Sequence, residues 1–401
     1  MPAFSLTNVS NLFKIKYGKV SENVYNSQNV VLGRVKKNYN FTGRHMFVSV
    51  PQSFSGGVGS GSLPTANYTT VEDAIITAKK VYAVAQIDRE SIKASMDNEG
   101  AFVQGTKWVV ERTVQSWMRN MSRILFNDGT GILGQFSGNA GGTATAPTLT
   151  ILNTGSYAFK EANFEERDYV NVNSLASVFE VTAVNPTTRV VTLSRVSGSD
   201  DLTAIGAGTH SVYMQNSKDN DPTGIAGVCK ANSGSLYTIS VGRRWQAGSQ
   251  IAAGGAGLTT DLMNQAMLEV EQRSGQVPNL IVCSYTQYRK LLNVLEDQKQ
   301  YILEPRMPEL KGKVSFKGIE FMSSQGPVGI FPERFAGNDE MYFLNDNFIE
   351  LHHRPNFGWF EDDGTVFLRD ASTDTYSARF GGYLEAFINP CFQGIITGLA
   401  T

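Results

Sequence analysis

The chain has 401 residues with a formal net charge of −2, from 35 lysine or arginine and 37 aspartate or glutamate residues. Net charge therefore gives no reason to expect binding to nucleic acid or to an anionic membrane. At this length, and with 41% hydrophobic residues, we expect about two or three domains with an ample core.

The three cysteines, Cys229, Cys283 and Cys391, are far apart and lack metal-binding spacing. We expect free thiols that are mostly buried, in a reducing compartment. The N-terminal MPAFSLTNVSNLFK lacks the basic and apolar pattern of a signal peptide, and no apolar run approaches the ~18 residues of a membrane span. These features predict a cytosolic product without membrane contact.

Residues 1–34 are polar and without periodicity, which predicts an N-terminal arm. Residues 35–85 predict an extended hairpin, because the strand-like runs at 44–54 and 68–85 flank a glycine- and serine-rich tip. A two-stranded hairpin is marginally stable alone, so we expect it to rest on another chain. The alternative is a disordered loop on a monomer. The residues predicted to make contacts between subunits at the tip are Phe54, Gly56, Gly57, Gly59, Gly61 and Leu63.

The segment Glu99–Gly129 predicts one long helix, preceded by a short helix at Asp88–Lys93. Apolar residues recur along it at helical spacing, and Asn127-Asp128-Gly129 is a typical end. Such a stripe needs a sheet or a second helix to pack on. Its predicted core residues are Val110, Val114, Trp117, Met121 and Leu125.

Gly129, Gly131 and Gly134 have the spacing of a dinucleotide-binding turn. That turn requires a strand before it and a helix after it, so that the pyrophosphate meets a helix N-terminus. Here a helix comes before, and the glycine- and threonine-rich sequence after it predicts a loop. We therefore reject a nucleotide site and assign residues 86–156 to the long helix and the first part of its domain.

Residues 157–216 predict a compact all-β insertion, with strand-like runs at 168–172, 177–184 and 189–194 around an Asn185-Pro186 turn. Its acidic residues could bind a cation or form a solvated face, and the second is favoured because typical companion ligands are missing. These acidic residues are Glu161, Glu165, Glu166 and Asp168.

Residues 217–345 predict a second domain of alternating helices and strands. Its first helix is expected to be capped by Thr260 and to end at Gly275, before a buried strand at Leu280–Cys283. Ser284-x-x-Gln287 is a capping box for the next helix. Further strands are predicted at Ser315–Met322, Val328–Phe331 and Met341–Leu344.

Residues 346–401 predict β-structure returning to the first domain, because alternating apolar residues flank Gly381-Gly382. These strands have no partners nearby in sequence. We therefore expect them to form the sheet beneath the long helix, so that the domain is discontinuous.

The sequence carries no recognisable catalytic motif, which argues against an enzyme. His352 and His353 are adjacent, so on a strand they would face opposite ways and could not share one metal ion. We predict no cofactor and no metal.

The order of these elements resembles a tailed-phage major capsid protein of the Hong Kong 97 type. The resemblance is strongest in RILFNDGTG at Arg123–Gly131 and in EMYFLN at Glu340–Asn345. It implies an α+β coat fold with an N-terminal arm, an extended hairpin loop and a long spine helix in a peripheral domain. It further implies that residues 217–345 form an axial domain and that the all-β insertion is an added domain.

The implied function is self-assembly, through pentamers and hexamers, into an icosahedral or prolate shell around packaged double-stranded DNA. The implied location is the virion, after assembly in the host cytoplasm. Further implied partners are a portal, a separate scaffolding or decoration protein, and DNA contacted non-specifically at the inner surface. The alternatives are an encapsulin-like compartment, which shares the fold, and a cytosolic enzyme.

Overall fold

The computed structural model describes residues 30–38, 41, 43, 45–51, 60–61, 70–89, 99–173, 175–297, 319–361, 364–369 and 373–401. The predicted arm, apart from residues 30–34, lies outside these residues. So do five of the six predicted tip residues, namely Phe54, Gly56, Gly57, Gly59 and Leu63.

The helices of the described residues are α1 (Val30–Arg34), α2 (Glu99–Leu125), α3 (Ile225–Lys230), α4 (Thr260–Ser274) and α5 (Tyr285–Asp297). The long helix α2 confirms the prediction, and after its last turn Gly129 has a φ of +88°, in the left-handed region that glycine favours. Helix α4 ends at Gly275 as predicted, but its cap is Thr259 and not Thr260. The hydroxyl of Thr259 accepts the amide N–H of Leu262.

The strands are numbered in chain order. They are β1 (Lys36–Asn38), β2 (His45–Pro51), β3 (Val71–Thr77), β4 (Lys79–Asp88), β5 (Ile132–Ser137), β6 (Gly141–Gly142), β7 (Pro147–Thr150), β8 (Tyr169–Val172), β9 (Val178–Asn185), β10 (Val190–Ser197), β11 (Thr209–Met214), β12 (Ser235–Leu236), β13 (Ile239–Ser240), β14 (Ser249–Ala252), β15 (Leu280–Cys283), β16 (Ile319–Ser323), β17 (Gly326–Pro332), β18 (Met341–Leu344), β19 (Ile349–Trp359), β20 (Leu368–Arg369), β21 (Thr375–Ile388) and β22 (Gly394–Thr397).

The first large sheet is centred on β21, which pairs with β19 on one side and with β4 on the other. Strand β1 adds to β19 in parallel, and the short β20 pairs with the start of β21. Helix α2 packs on this sheet, and its side chains share one core with Phe380, Leu384 and Ala386 of β21. The predicted partnership between the long helix and the C-terminal strands is therefore confirmed.

Strands β2 and β3 form the predicted antiparallel hairpin, with His45 opposite Thr77 and Pro51 opposite Val71. The prediction that the second arm runs on to residue 85 is wrong. The chain leaves the hairpin at Ala78, and β4 joins the first sheet along Thr375–Leu384. Because β4 continues to Asp88, the short helix predicted from that residue does not begin there. Arg89, the next residue, is helical, and residues 90–98 lie outside the described part.

The second large sheet has the order β5-β11-β8-β9-β10-β7-β6 and its own apolar core. It contains the three strands predicted between residues 168 and 194. It begins at Ile132, however, so the boundary predicted at residue 157 divides one sheet. The loop predicted after Gly129 is also wrong, because Ile132–Ser137 pairs with β11 and is buried in spite of its glycine content.

The third large sheet has the order β14-β22-β18-β15-β17-β16, with α4 and α5 contributing to its core. It contains the strands predicted at Leu280–Cys283, Val328–Phe331 and Met341–Leu344. The first described residue of β16 is Ile319, so the start predicted at Ser315 lies outside the described part. Strand β22 brings the last part of the C-terminal segment into this sheet, beside β14 and β18.

Candidate assembly surface and its anchors

The five core residues predicted on the long helix are all buried, with exposed fractions between 1% and 5%. Four of them, from Val114 to Leu125, belong to the core beneath α2. Val110 packs separately, beside Trp359 and Phe367. The apolar stripe predicted on α2 therefore faces the first sheet, along the part of the helix whose side chains are described.

Trp117 is the centre of this packing. Its ring meets Phe380 edge to face, with 5.3 Å between centroids, and Phe380 meets Trp359 at the same distance. The indole N–H donates to the carbonyl oxygen of Val81 at 3.4 Å. One side chain thus joins the helix to the central strand β21 and to its neighbour β4.

Arg119 joins the long helix to the second sheet, since its guanidinium forms ion pairs with Asp168 and Glu165. Burial raises the pKa of Asp168, and the guanidinium opposes this rise. Two of the four acidic residues considered as a cation site or a solvated face are therefore bound to an arginine. Within the described ranges, no group of three or more potential metal-binding side chains occurs.

Arg123 ties the same helix to the segment that leaves the second sheet. Its Nη1 atom lies 3.3 Å from Oδ2 of Asp221, and the two side chains are only 5% and 6% exposed. Ser217 donates its hydroxyl to the same carboxylate. Gly224 then passes so close to the end of α2 that a Cβ atom would lie 2.3 Å from the carbonyl oxygen of Asn127. The helix end and this segment are thus closely packed.

Glu340 is the centre of a third ionic contact, between β18 and α3. It accepts hydrogen bonds from Lys230 and from the Tyr342 hydroxyl. Burial favours its neutral form, but the charges of Lys160 and Lys230 hold the pKa of Glu340 below its usual value. Lys160, which follows the second sheet's β7, donates to the carbonyl oxygen of Phe335 at 3.3 Å. The segment between β7 and β8 is therefore in direct contact with the loop between β17 and β18.

The β2–β3 hairpin is fixed at its root by the turn between β12 and β13. The amide N–H of Ile75 donates to the carbonyl oxygen of Tyr237 at 2.9 Å, and the Thr238 hydroxyl donates to the carbonyl oxygen of Asp73 at 3.3 Å. The Tyr237 hydroxyl in turn donates to the carbonyl oxygen of Ala386, on β21. The hairpin is thus attached to the first sheet through this turn.

The hairpin stem and the adjoining strand β4 expose large apolar side chains. Phe47 is 62% exposed, Val71 55% and Val84 61%. Of the predicted tip residues, Gly61 is described; it is exposed, with a φ of +97°. Sequence reasoning selected the tip and missed the stem. The alternation along β2 places His45, Phe47 and Ser49 on one face, but the sequence does not show whether that face is covered within the chain.

His352 and His353 are both buried on β19. Nε2 of His352 lies 3.3 Å from Glu350, and burial lowers the pKa of His352 while that carboxylate opposes the change.

Among the described residues, no helix is both long and apolar enough to cross a membrane.

Glu385 is a buried carboxyl on β21, opposite His352 of β19. It accepts the amide N–H of Thr223 at 2.6 Å, and burial raises its pKa to about 7, against the opposing effects of that bond and of Lys79. The folded protein therefore takes up a proton relative to the unfolded chain between about pH 4.5 and 7. Stability from this group is complete below that window and is lost as the pH rises through it.

We expect Glu385→Gln to remove this dependence, because the glutamine oxygen can still accept the Thr223 N–H. Relative to the unchanged protein, the variant should gain on the order of 3 kcal/mol between pH 4.5 and pH 8. Urea unfolding of the unassembled subunit at both pH values measures the gain, with the exposed Glu320→Gln as a matched control. If the gain is as small as that of the control, ionisation of Glu385 does not lower the free energy of unfolding.

A protein-family model matches part of the sequence, and solved structures are similar to nearly the whole chain. Residues 202–358 match the family model of the SU10 major capsid protein. The fold is similar to that of a chain in the cyanophage A-1(L) capsid asymmetric unit, with a TM-score of 0.55, 10% identity and 93% of each chain covered. This likeness confirms the predicted α+β coat fold.

Two further solved structures are similar at lower scores. One is the capsid of a native GTA particle, with a TM-score of 0.45, 10% identity and coverage of 92% of this chain and 89% of that chain. The other is a virus-like particle from Pyrococcus furiosus, with a TM-score of 0.44, 8% identity and coverage of 96% and 99%. No curated protein matches the chain.

Proposed function

We infer that this chain is a major capsid protein, the subunit of the head shell that encloses the double-stranded DNA of a tailed phage. The observation that carries this inference is the family match over residues 202–358, a range that includes α3, α4, α5 and most of the third sheet. The coat fold of the whole chain supports it. The protein is accordingly a structural component of the virion and not an enzyme.

We propose that copies of the chain associate as pentamers and hexamers. A shell needs contacts that repeat from copy to copy and close. The exposed apolar stem of the hairpin and the predicted tip are our candidates for one such contact, with a neighbouring copy covering Phe47 and Val71. The proposed external partners are a portal, a scaffolding or decoration protein, and DNA at the inner surface.

The proposed domain organisation follows from the three sheets. The first sheet with α2 is the peripheral domain, which the chain enters before the long helix and re-enters after residue 346. The second sheet, from Ile132 to Met214, is the added domain. The third sheet with α4 and α5 is the axial domain. The ion pairs of Arg119 with Asp168 and Glu165 connect the first two of these units.

Assembly is tested by replacing Phe47 with aspartate. We expect a folded subunit that forms few or no closed shells, because the charge enters a contact that should become desolvated in the assembled shell. Since Phe47 is exposed in the free chain, subunit stability should change by only about 0.5 kcal/mol. Size-exclusion chromatography and electron microscopy measure the particles, and chemical unfolding measures stability.

Val196→Asp is the matched control, because Val196 is 52% exposed on β10, away from the hairpin. This variant should still form closed shells. Normal shells from Phe47→Asp would exclude the stem as a contact. An unchanged chain that remains folded but forms only small oligomers, both alone and together with the other head proteins, would contradict the proposed function itself.

A further inference from the structure

Strand β4 forms an edge of the first sheet that the proposed stem contact does not use. On one side it pairs with β21 over its full length of 10 residues, from Lys79 opposite Leu384 to Asp88 opposite Thr375. Among the residues that the structure describes, no strand pairs with its other side. An edge of this length can accept a strand from another chain.

The backbone groups on this open side belong to alternate residues. The amide N–H of Arg89 donates to the carbonyl oxygen of Asp374 at 3.1 Å, which continues the pairing of β4 with β21. Because bonded and non-bonded residues alternate along an antiparallel pair, the odd-numbered residues of β4 bond to β21. In agreement, the carbonyl oxygen of Arg379, which lies opposite Val84, accepts from Phe360, just after β19. The even-numbered residues therefore direct their N–H and C=O groups to the open side.

The side chains of these even-numbered residues are also exposed. They are Lys80, Tyr82, Val84, Gln86 and Asp88. Native proteins protect an open edge with proline, with charges along the strand or with a bulge. Strand β4 has no charged residue, proline or glycine from Val81 to Ile87, and its register with β21 is continuous. This edge is therefore better suited to a partner strand than to solvent.

The long helix leaves the open edge accessible, because it packs over the interior of the sheet. Val110 packs beside Trp359 of β19, and Trp117 meets Phe380 of β21. In the sheet, both β21 and β19 lie on the side of β4 that is away from its open edge. A further strand can therefore lie beside β4 without displacing α2.

We propose that β4 pairs with β4 of a second copy of this chain, in antiparallel orientation and about a two-fold axis at Val84. Tyr82 then lies opposite Gln86 of the second copy. Lys80 lies opposite Asp88 of the second copy. All even-numbered residues of the two strands exchange N–H···O=C bonds in this register. The strand is thus self-complementary, since opposite charges meet at both ends and uncharged residues meet between them. A parallel pair in register would instead bring like charges together.

This contact differs in symmetry from the contacts within pentamers and hexamers. It is isologous, because each copy uses the same surface, whereas ring contacts join two different surfaces. It merges the first sheets of two copies into one continuous sheet and covers both open edges. In the shell it would join copies from different rings. That placement rests on the proposed function, whereas the pairing itself can form between free subunits and does not.

The test uses cysteine variants of the full-length subunit and a bifunctional methanethiosulfonate with a single bridging carbon. Val84→Cys should give at least tenfold more covalent dimer than Val196→Cys on β10, because the two Cα atoms on the axis are ~5.5 Å apart. Gln86→Cys should react as little as that control, since its two copies lie about 15 Å apart. Adding Tyr82→Cys to Gln86→Cys should restore cross-linking. The unchanged protein, in which Cys229 and Cys283 are buried, gives the background.

The single variants alter exposed side chains, so chemical unfolding should show subunits as stable as the unchanged protein. A dimer yield from Val84→Cys within twofold of that from Val196→Cys would overturn the proposal, whether or not closed shells form. Equal cross-linking of Val84→Cys and Gln86→Cys would also overturn it, because a parallel pair or random collision brings both positions together. Loss of closed shells with retained cross-linking at Val84 would contradict the proposed function and leave the strand pairing supported.

Discussion

Replacing Trp117 with alanine is expected to destabilise the subunit by about 3–5 kcal/mol. The side chain is 1% exposed and lies between the long helix and strands β21 and β4 of the first sheet. Its removal leaves a cavity beside Phe380. Because β21 is paired on both sides along this stretch, the sheet cannot move in to fill that cavity. Denaturant unfolding of the unassembled subunit measures the loss.

Two variants define what the tryptophan contributes. Trp117→Phe keeps an aromatic ring against Phe380 but loses the hydrogen bond to Val81, so it should cost clearly less than the alanine variant. Ser116→Ala, at the exposed neighbouring position, should change stability by only about 0.5 kcal/mol. A loss below about 1 kcal/mol for Trp117→Ala would mean that this face of the helix does not support the core.

The long helix could be predicted from sequence because its evidence is local. Apolar spacing and the glycine at its end are both contained in residues 99–129, and each follows from helix geometry alone. The apolar alternation of Phe380, Leu384 and Ala386 likewise identified the sheet on which it packs. The absence of any nearby partner for these strands then pointed to a discontinuous domain.

Strand pairing between distant segments could not be read in this way. Ile132–Ser137 contains a glycine and follows a glycine-rich turn, so its local composition favours a loop, yet pairing with β11 makes it a strand. Similarly, residues 79–85 have the extended pattern of the hairpin before them. Only the position of β21 shows that the chain changes partner at Ala78. Tertiary pairing decided both cases.

The ionic partner of the acidic residues before β8 could not be predicted from local sequence either. Charge and spacing around Asp168 allowed a cation or a solvated face. The observed partner is Arg119, which is 49 residues away in sequence on a helix of another sheet's domain. The exposed apolar stem was missed for a different reason. Its alternating pattern was recognised, but a sequence alone does not say which of the two faces is covered within the chain.

Breaking the buried pair between Arg123 and Asp221 gives the second large effect. We expect Asp221→Ala to cost about 3–5 kcal/mol, because it leaves the Arg123 guanidinium buried without a counter-charge. The Ser217 hydroxyl, which donates to the same carboxylate, also loses its acceptor. Asp219→Asn is the control in the same segment, because it is exposed and asparagine tolerates its φ of +56°.

The double variant Arg123→Met, Asp221→Leu separates the cost of an unpaired charge from the value of the pair. Because desolvation offsets much of the attraction within a buried ion pair, the double variant should recover most of the stability lost in Asp221→Ala. Denaturant unfolding of the unchanged protein, Arg123→Met, Asp221→Leu and the double variant gives the coupling energy between the two positions. If the double variant remains as unstable as Asp221→Ala, the loss comes from the carboxylate's bonds to its own segment, and the ion pair does not hold the helix to the segment that follows the second sheet.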